Sequence, residues 1–254
     1  MKKKKKKTQN SKVVLPEARK LFIDISTQIG GSESIANLCL DQIITSQNLT
    51  DSDIRSRFSE LLQQLESGCY KVYLERENSS GEIVLAKYLS TKNNNNFPIL
   101  NAFFLSLAQS RKSRAGQTFE SIFRALFKRC GFPFEEQCIV NGKPDFLMPS
   151  ESHYRKFPTD CLIFTAKRTL RERWRQIATE GTRGKSLYLA TIDKEVSVEA
   201  LSEMLTNRIH LVVPANHKAL IPEYKAAPNV MSFEDFFRDQ LEPAIKRWQL
   251  NNVI

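Results

Sequence analysis

Several features that would define a class of protein are absent from this sequence of 254 residues. No apolar run approaches the roughly 20 residues that cross a bilayer, and the lysine-rich beginning lacks the apolar stretch of a signal peptide. The five cysteines include no C-x-x-C pair, and the three histidines have no metal-ligand spacing. We therefore expect a soluble, cytoplasmic protein with reduced thiols and neither a zinc site nor disulfides.

Positive charge is what the sequence has in excess. The formal net charge of +10 and the isoelectric point near 9.4 favour a polyanionic partner such as nucleic acid. Six of the charges belong to the run Lys2–Lys7, and the rest of the chain is still basic. Residues 1–13 are predicted to be a disordered basic tail, which either solubilises the protein or attracts nucleic acid non-specifically.

The apolar pattern divides the rest of the chain into a mainly helical region, 14–96, and an α/β domain, 97–254. The first region contains three helices by spacing, then a predicted hairpin with strands Tyr70–Leu74 and Ile83–Leu89. The polar run Asn93–Asn96 marks the predicted boundary. Apolar runs predict the strands of the second region at 137–140, 145–148, 161–165, 187–191 and 209–213. The predicted fold is a mixed central sheet flanked by helices.

An aspartate and a lysine stand at the ends of two of these predicted strands. Pro144-Asp145 is followed, after about twenty residues, by Thr165-Ala166-Lys167. This pattern resembles the PD-(D/E)XK metal-dependent nucleases. Hydrolysis of a phosphodiester needs a carboxylate that holds Mg²⁺ at the scissile phosphate and a cation that activates water or stabilises developing charge.

A charged triplet, Arg171-Glu172-Arg173, follows the lysine near the start of a predicted helix. Arginine can donate two hydrogen bonds to guanine O6 and N7, and glutamate can accept one from cytosine N4. The triplet therefore has the donors and acceptors that read G·C pairs in the major groove. The alternative is a solvated helix face with local ion pairs.

Together these motifs resemble the EcoRII/SsoII-like type II restriction endonucleases. The run Lys167-x-x-x-Arg171-Glu172-Arg173 is followed by Glu180, thirteen residues after the lysine. Upstream, the basic segment Ser110–Gly116 is followed by Glu120, nine residues after Arg111. The resemblance covers about residues 108–185 and implies a restriction-endonuclease-like fold.

The resemblance also implies the roles of the acidic residues. Asp145 and Glu180 match carboxylates that bind Mg²⁺, and Lys167 matches the catalytic lysine. Ala166 stands where an ordinary PD-(D/E)XK enzyme carries its second acid, which Glu180 replaces. Glu120 matches a further catalytic acid that holds a second metal ion or orients a water; its alternative role is an acid favoured by the dipole at a helix start.

DNA contacts follow from the same resemblance. The triplet Arg171–Arg173 matches residues that recognise the CC and GG of CCNGG or CCWGG sites. Arg111, Lys112 and Arg114 are expected to contact phosphates, because several cations on one loop suit a charged backbone. Arg168 departs from the Thr-Thr pair that family members often carry here, and it would either add a phosphate contact or alter the fit near the site.

The resemblance thus implies a Mg²⁺-dependent enzyme that cuts double-stranded DNA before the first C of its site and leaves 5′ overhangs. A nearly palindromic site implies a homodimer, and a restriction enzyme implies a companion DNA methyltransferase. Two other functions stay open. One is a PD-(D/E)XK repair or junction nuclease without base preference, and the other is a DNA-binding protein without catalytic activity.

Overall fold

The structure is a computed structural model that describes residues 15–91, 96–140, 143–170, 174–175 and 187–254. These residues form two compact units. The first comprises the described residues up to Gly30 together with Tyr73–Ser113, and the second comprises Gly31–Val72 and Arg114–Ile254. The predicted tail, 1–13, lies outside the described residues, as does most of the predicted boundary at Asn93–Asn96.

Helices make up the amino-terminal part of the chain, as predicted, and short local signals fix several of their ends. Pro16 opens the first helix, and Gly30, with a φ of 86°, follows its end. Thr50 and Asp53 form a reciprocal capping box at the start of the third. In chain order these helices are α1 (Pro16–Ile29), α2 (Ser32–Gln47), α3 (Asp51–Ser56), α4 (Phe58–Ser90) and α5 (Phe97–Arg129).

The first unit contains α1, the end of α4 and the beginning of α5. Its buried apolar side chains are Ala18, Leu21, Ile25, Ile29, Tyr73, Phe103 and Leu107. A carboxylate is buried among them: Glu77, 3% exposed, accepts hydrogen bonds from the Tyr73 hydroxyl and from Arg111, whose Nε lies 2.8 Å away. Burial of an unpaired carboxylate would be costly, so this ion pair is part of the unit's stability.

The predicted hairpin is wrong, because both of its strands are turns of α4. Buried positions along α4 recur at helical spacing, at Leu61, Leu65, Cys69 and Tyr73. The next buried position is Glu77, which is polar. The apolar pattern is therefore interrupted at Glu77 although the helix continues. The β-branched and aromatic residues nearby favour strands in the sequence.

The second unit is built around a five-stranded mixed sheet, which confirms the predicted fold class. Strand β1 is antiparallel to β2, and β2 to β5 run parallel in sequential order. The strands are β1 (Phe146–Met148), β2 (Leu162–Ala166), β3 (Leu187–Ala190), β4 (Ile209–Val213) and β5 (Val230–Ser232). Their helices are α6 (Glu151–Lys156), α7 (Val198–Thr206), α8 (Ala215–Leu220), α9 (Pro222–Ala226), α10 (Phe233–Phe236) and α11 (Glu242–Leu250).

The strand predictions for β1 to β4 are confirmed, the strand predicted at 137–140 is wrong, and β5 was not predicted. The three-residue β5 is too short to show an alternating pattern. Residues 137–140 do not form the predicted strand: Gln137 has a φ of 59°, outside the range of extended backbone. The nearest β pairing is an isolated bridge between Glu135, before this segment, and Leu147.

An aromatic layer fills one face of the sheet. Phe123 and Phe127 of α5 lie with ring centroids 5.4 and 5.2 Å from Phe164 of β2, and Phe127 also lies 5.3 Å from Phe146 of β1. These are favourable distances for tilted and edge-to-face rings. Each fully buried ring contributes about 1.5–3 kcal/mol, so this layer fixes α5 against β1 and β2.

Aliphatic side chains cover the opposite face. Leu147, Ile163, Leu189 and Leu211 alternate with the aromatic positions and pack with residues of α7 and α9. All five cysteines lie among the described residues, where they are buried with free thiols. No helix in the described part of the chain is long and apolar enough to cross a membrane.

Candidate active site

The ends of β1 and β2 bring Asp145 and Lys167 together. Phe146 of β1 pairs with Phe164 of β2 in antiparallel register, so the residue before β1 and the residue after β2 lie at the same edge of the sheet. The Ala166 backbone N–H donates to Asp145 Oδ2 at 2.9 Å, and the Lys167 N–H donates to the Ala190 carbonyl at 2.9 Å. Backbone pairing thus places both side chains.

The lysine ammonium joins this aspartate to a second acid. Lys167 Nζ lies 2.9 Å from Asp145 Oδ2 and 3.2 Å from Glu120 Oε1. The side chains are 26%, 17% and 34% exposed for Lys167, Asp145 and Glu120. Three of the four residues predicted to be catalytic therefore lie in one half-buried cluster.

Glu120 reaches the cluster because of the aromatic layer. It lies on α5 one turn before Phe123, whose ring packs on Phe164 of β2. Residues three apart on a helix share a face, so the packing that buries Phe123 also directs Glu120 to the sheet. The alternative role for Glu120, an acid at a helix start, is wrong, since α5 begins at Phe97.

The cluster carries more negative than positive charge. Burial, and then the nearby Asp145 carboxylate, raise the pKa of Glu120, although Lys167 opposes this. Burial lowers the pKa of Lys167, but the two carboxylates outweigh burial and hold that pKa above its usual value. Two carboxylates against one ammonium leave one negative charge, an arrangement that suits a cation.

The hydrogen bonds leave room for a ligand on Asp145. Both the Ala166 N–H and the Lys167 ammonium bind Oδ2. No hydrogen bond from the described residues reaches Oδ1. Carboxylate oxygens are the ligands that Mg²⁺ prefers in proteins, so the residues present fit the predicted metal ion.

The basic segment near residue 111 is helical, not the loop that the sequence predicted. Arg111, Lys112 and Arg114 all lie within α5. Arg111 pairs with the buried Glu77 inside the first unit, whereas Lys112 is exposed and Arg114 half-buried. The predicted phosphate contacts of these three residues stay predictions.

Arg168 also has an acidic partner. Its Nε and Nη2 lie 2.7 and 2.6 Å from Glu66 Oε1 on α4. Neither Glu66 nor this ion pair was predicted, because nothing near Glu66 in sequence indicates a partner about a hundred residues away. The predicted contact of Arg168 with a phosphate stays a prediction.

Several predicted site residues lie outside the described residues: Glu180 and the triplet Arg171, Glu172 and Arg173. Trp174, directly after the triplet, is helical and 2% exposed, so it lies in the core. Elsewhere in the second unit, ligand atoms of Glu135, Cys138 and Glu151 lie within 4.8 Å of one another. Glu135 there accepts the Glu151 N–H at 2.7 Å, and burial raises the pKa of the Cys138 thiol to about 11.

A family model described as EcoRII C terminal matches residues 78–237, more than half of the chain. The chain belongs to this EcoRII C-terminal family. The matched range contains Glu120, Asp145 and Lys167, the cluster at the edge of the sheet. The resemblance to EcoRII/SsoII-like endonucleases is confirmed.

Two curated relatives are type II restriction enzymes. The chain is 33% identical to SsoII of Shigella sonnei over 161 residues, which cover 59% of this chain and 51% of SsoII. It is 38% identical to EcoRII of Escherichia coli over 130 residues, which cover 47% of this chain and 32% of EcoRII. The chain spans about half the length of SsoII and about a third of EcoRII.

Solved structures of the same fold include two complexes with DNA. Metal-depleted Ecl18kI in complex with uncleaved DNA gives a TM-score of 0.77 at 23% identity, covering 91% of this chain and 86% of that one. The PspGI–substrate DNA complex gives 0.68 at 22% identity, covering 88% and 96%. At these identities the likeness shows a shared restriction-endonuclease fold.

Proposed function

We propose that this chain is a Mg²⁺-dependent type II restriction endonuclease. It cuts both strands of DNA at a CCNGG or CCWGG site, before the first C, and leaves 5′ overhangs. The observation that carries the proposal is the cluster of Glu120, Asp145 and Lys167, with its excess negative charge, in a chain of the EcoRII C-terminal family. SsoII and EcoRII, which the chain resembles in sequence, are type II restriction enzymes.

Asp145 and Glu180 hold the metal ion in this proposal, and Glu120 is the further carboxylate that holds a second metal ion or orients a water. When bound, Mg²⁺ would neutralise charge on the scissile phosphate and lower the pKa of a water molecule. Oδ1 of Asp145 is the oxygen available to the ion, because Oδ2 already accepts hydrogen bonds from the Ala166 N–H and the Lys167 ammonium.

Lys167 supplies fixed positive charge beside those carboxylates. Its backbone is tied to Ala190 and its ammonium to both acids, so it does not need to reorganise when substrate arrives. A charge held in place before the reaction stabilises negative charge that develops in the transition state more effectively than a mobile one. We assign Lys167 that role on the transferred phosphate.

DNA recognition is assigned as the family resemblance implies. Arg171, Glu172 and Arg173 read the C·G pairs, and Arg111, Lys112, Arg114 and Arg168 contact phosphates. The Ecl18kI and PspGI structures that share the fold contain DNA. A nearly palindromic site calls for a twofold-symmetric homodimer. A companion methyltransferase would protect the host DNA from cleavage.

Cleavage of a plasmid of known sequence, with the ends of the fragments sequenced, tests the proposal. Wild type with Mg²⁺ is compared with Lys167→Ala, with Asp145→Asn, and with the control Lys246→Ala, which changes an exposed lysine of α11. We expect discrete ends at CC…GG sites for wild type and control, and no product from the two site variants.

Each other outcome identifies one of the alternative functions. Random nicking that depends on Lys167 would indicate a repair or junction nuclease. Tight DNA binding without cuts would indicate a non-catalytic DNA-binding protein. Discrete ends at an unrelated sequence would retain the restriction enzyme but overturn the proposed site.

A further inference from the structure

The segment Arg168–Leu170, directly after Lys167, is held by three described side chains of the second unit. Glu66 binds the Arg168 guanidinium, as described above. Thr191 Oγ1 donates to the Arg168 carbonyl at 3.2 Å, and the Leu170 N–H donates to Asp193 Oδ2 at 2.9 Å. A segment of three residues fixed at its side chain, a carbonyl and an N–H has little freedom to rotate.

The turn that follows β3 is itself rigid. The Asp193 N–H donates to Thr191 Oγ1 at 3.0 Å, and Asp193 Oδ1 accepts the Glu195 N–H at 3.1 Å. The hydroxyl of Tyr224, a fully buried residue of α9, donates to the Asp193 carbonyl at 2.7 Å. The Asp193 carboxylate is therefore fixed by its own turn before it contacts Leu170.

The segment that this turn holds, Arg168–Leu170, lies along the chain between two parts of the proposed enzyme. Lys167, on one side of the segment, is bonded through its backbone to Ala190, the last residue of β3. Residues 171–173, which are proposed to read bases, follow Leu170 on the other side. The end of β3 and the turn after it thus hold the backbone at both ends of the connection between chemistry and recognition.

We infer that Asp193 is a positioning residue that couples base recognition to cleavage. This inference rests on the proposed function. Bidentate base contacts need accurate placement, and a shift of about 1 Å can lower a rate by roughly 100-fold. Loss of the Asp193 carboxylate lowers cleavage at the correct site more than it weakens DNA binding, and it reduces discrimination against sites with one wrong base.

The experiment compares wild type with Asp193→Ala, Asp193→Asn and Thr191→Val. Glu195→Gln is the matched control, because it removes the same charge from the same turn and keeps its backbone N–H. Single-turnover cleavage is measured with Mg²⁺ on short duplexes that carry the mapped site or a version with one changed base. Affinity for the same duplexes without metal and the melting temperature complete the set.

For Asp193→Ala we expect cleavage of the correct site to fall about 10- to 100-fold. The ratio of correct to altered sites should fall about tenfold, as for one lost base contact. Affinity should change little. Asp193→Asn retains one acceptor and should recover most of the rate, and the control should match wild type in rate and ratio.

A folded Asp193→Ala variant with the wild-type rate and wild-type ratio would overturn the inference. So would an equal loss on correct and altered sites in proportion to a loss of folded protein. If Asp193→Ala does not fold, Thr191→Val decides by the same ratio, since it removes only the hydroxyl that links Arg168 to the turn. A wild-type chain that cuts no duplex overturns the proposed function itself.

Discussion

The acidic side chains at the two ends of the β1–β2 strand pair differ in how many donors surround them. At one end, Asp145 and Glu120 share the single ammonium of Lys167. At the other end one carboxylate, Asp160, accepts hydrogen bonds from three donors. His153 Nε2 lies 2.7 Å and Trp248 Nε1 3.0 Å from Oδ2, and Arg247 Nε lies 2.5 Å from Oδ1.

We expect the end that contains Asp160 to contribute to stability and the end that contains Asp145 and Glu120 to serve function. A carboxylate with three donors stabilises the folded state, because its desolvation is compensated. Two carboxylates that share one ammonium repel each other, and such an arrangement persists at sites that bind a ligand or catalyse a reaction. Substitutions at the two ends should therefore change different measured quantities.

The largest expected effect is the loss of cleavage at the acidic end. Asp145→Asn should lower the cleavage rate at least 10²–10³-fold, the scale seen when one preorganised charge-stabilising group is removed. Its free energy of unfolding should stay the same or rise, because repulsion with Glu120 is relieved. Single-turnover cleavage and urea unfolding measure the two quantities. An Asp145→Asn variant that is inactive because it is unfolded would contradict this separation of stability from function.

The opposite result is expected for Asp160→Ala. Removal of this carboxylate leaves His153, Arg247 and Trp248 without their common acceptor, so unfolding should become easier by about 2 kcal/mol. The cleavage rate per folded molecule at 25 °C should not change. Urea unfolding and cleavage under the same conditions test this, with Asp239→Asn as an exposed acidic control. A lost rate without lost stability would contradict the separation.

The pH dependence of stability sharpens the same contrast. Burial alone would raise the pKa of Asp160, but its hydrogen bonds with His153, Arg247 and Trp248 outweigh burial and hold it below the usual value. Its contribution is therefore present above the unfolded pKa of about 4 and is lost as the pH falls through the lower folded value. Urea unfolding between pH 7 and pH 3 should lose less stability in Asp160→Asn than in wild type. Parallel curves of unfolding free energy against pH for wild type and Asp160→Asn would contradict this contribution of Asp160.

The smallest expected effect lies at Glu66. Its ion pair with Arg168 has one partner that is 40% exposed, so solvent screens the attraction, and Glu66→Gln should cost less than about 1 kcal/mol. Glu75→Gln, the same change at an exposed position of α4, is the matched control. Differential scanning calorimetry gives the melting temperature of both. A loss as large as that of Asp160→Ala would show that the acidic end also carries much of the stability.

Much of the second unit was predictable because its signals are local. The strands β1 to β4 are short apolar runs, and Asp145 and Lys167 stand directly beside two of them. Antiparallel pairing of those two strands is enough to bring the aspartate and the lysine to one edge. Glu120 was predicted only through the family motif, since its place depends on how α5 packs against Phe164.

The features that were missed depend on contacts distant in sequence. The end of α4 was read as a hairpin because the inward position Glu77 is polar, and its partner Arg111 lies 34 residues later. Arg111 itself lies within the continuous helix α5, where the sequence predicted a basic loop. Asp193 has no motif around it, and its role follows only from the hydrogen bond to Leu170.

The aromatic layer has a consequence for engineering. Glu120 lies on helix α5, whereas Asp145 and Lys167 lie at the ends of sheet strands, so the thickness of the aromatic layer sets the separation of these groups in the proposed metal site. A smaller or larger side chain at Phe123 would change that separation without altering any residue that is proposed to contact DNA. Substitutions inside the protein should therefore alter which divalent cation the proposed site prefers, from the smaller magnesium through manganese to the larger calcium.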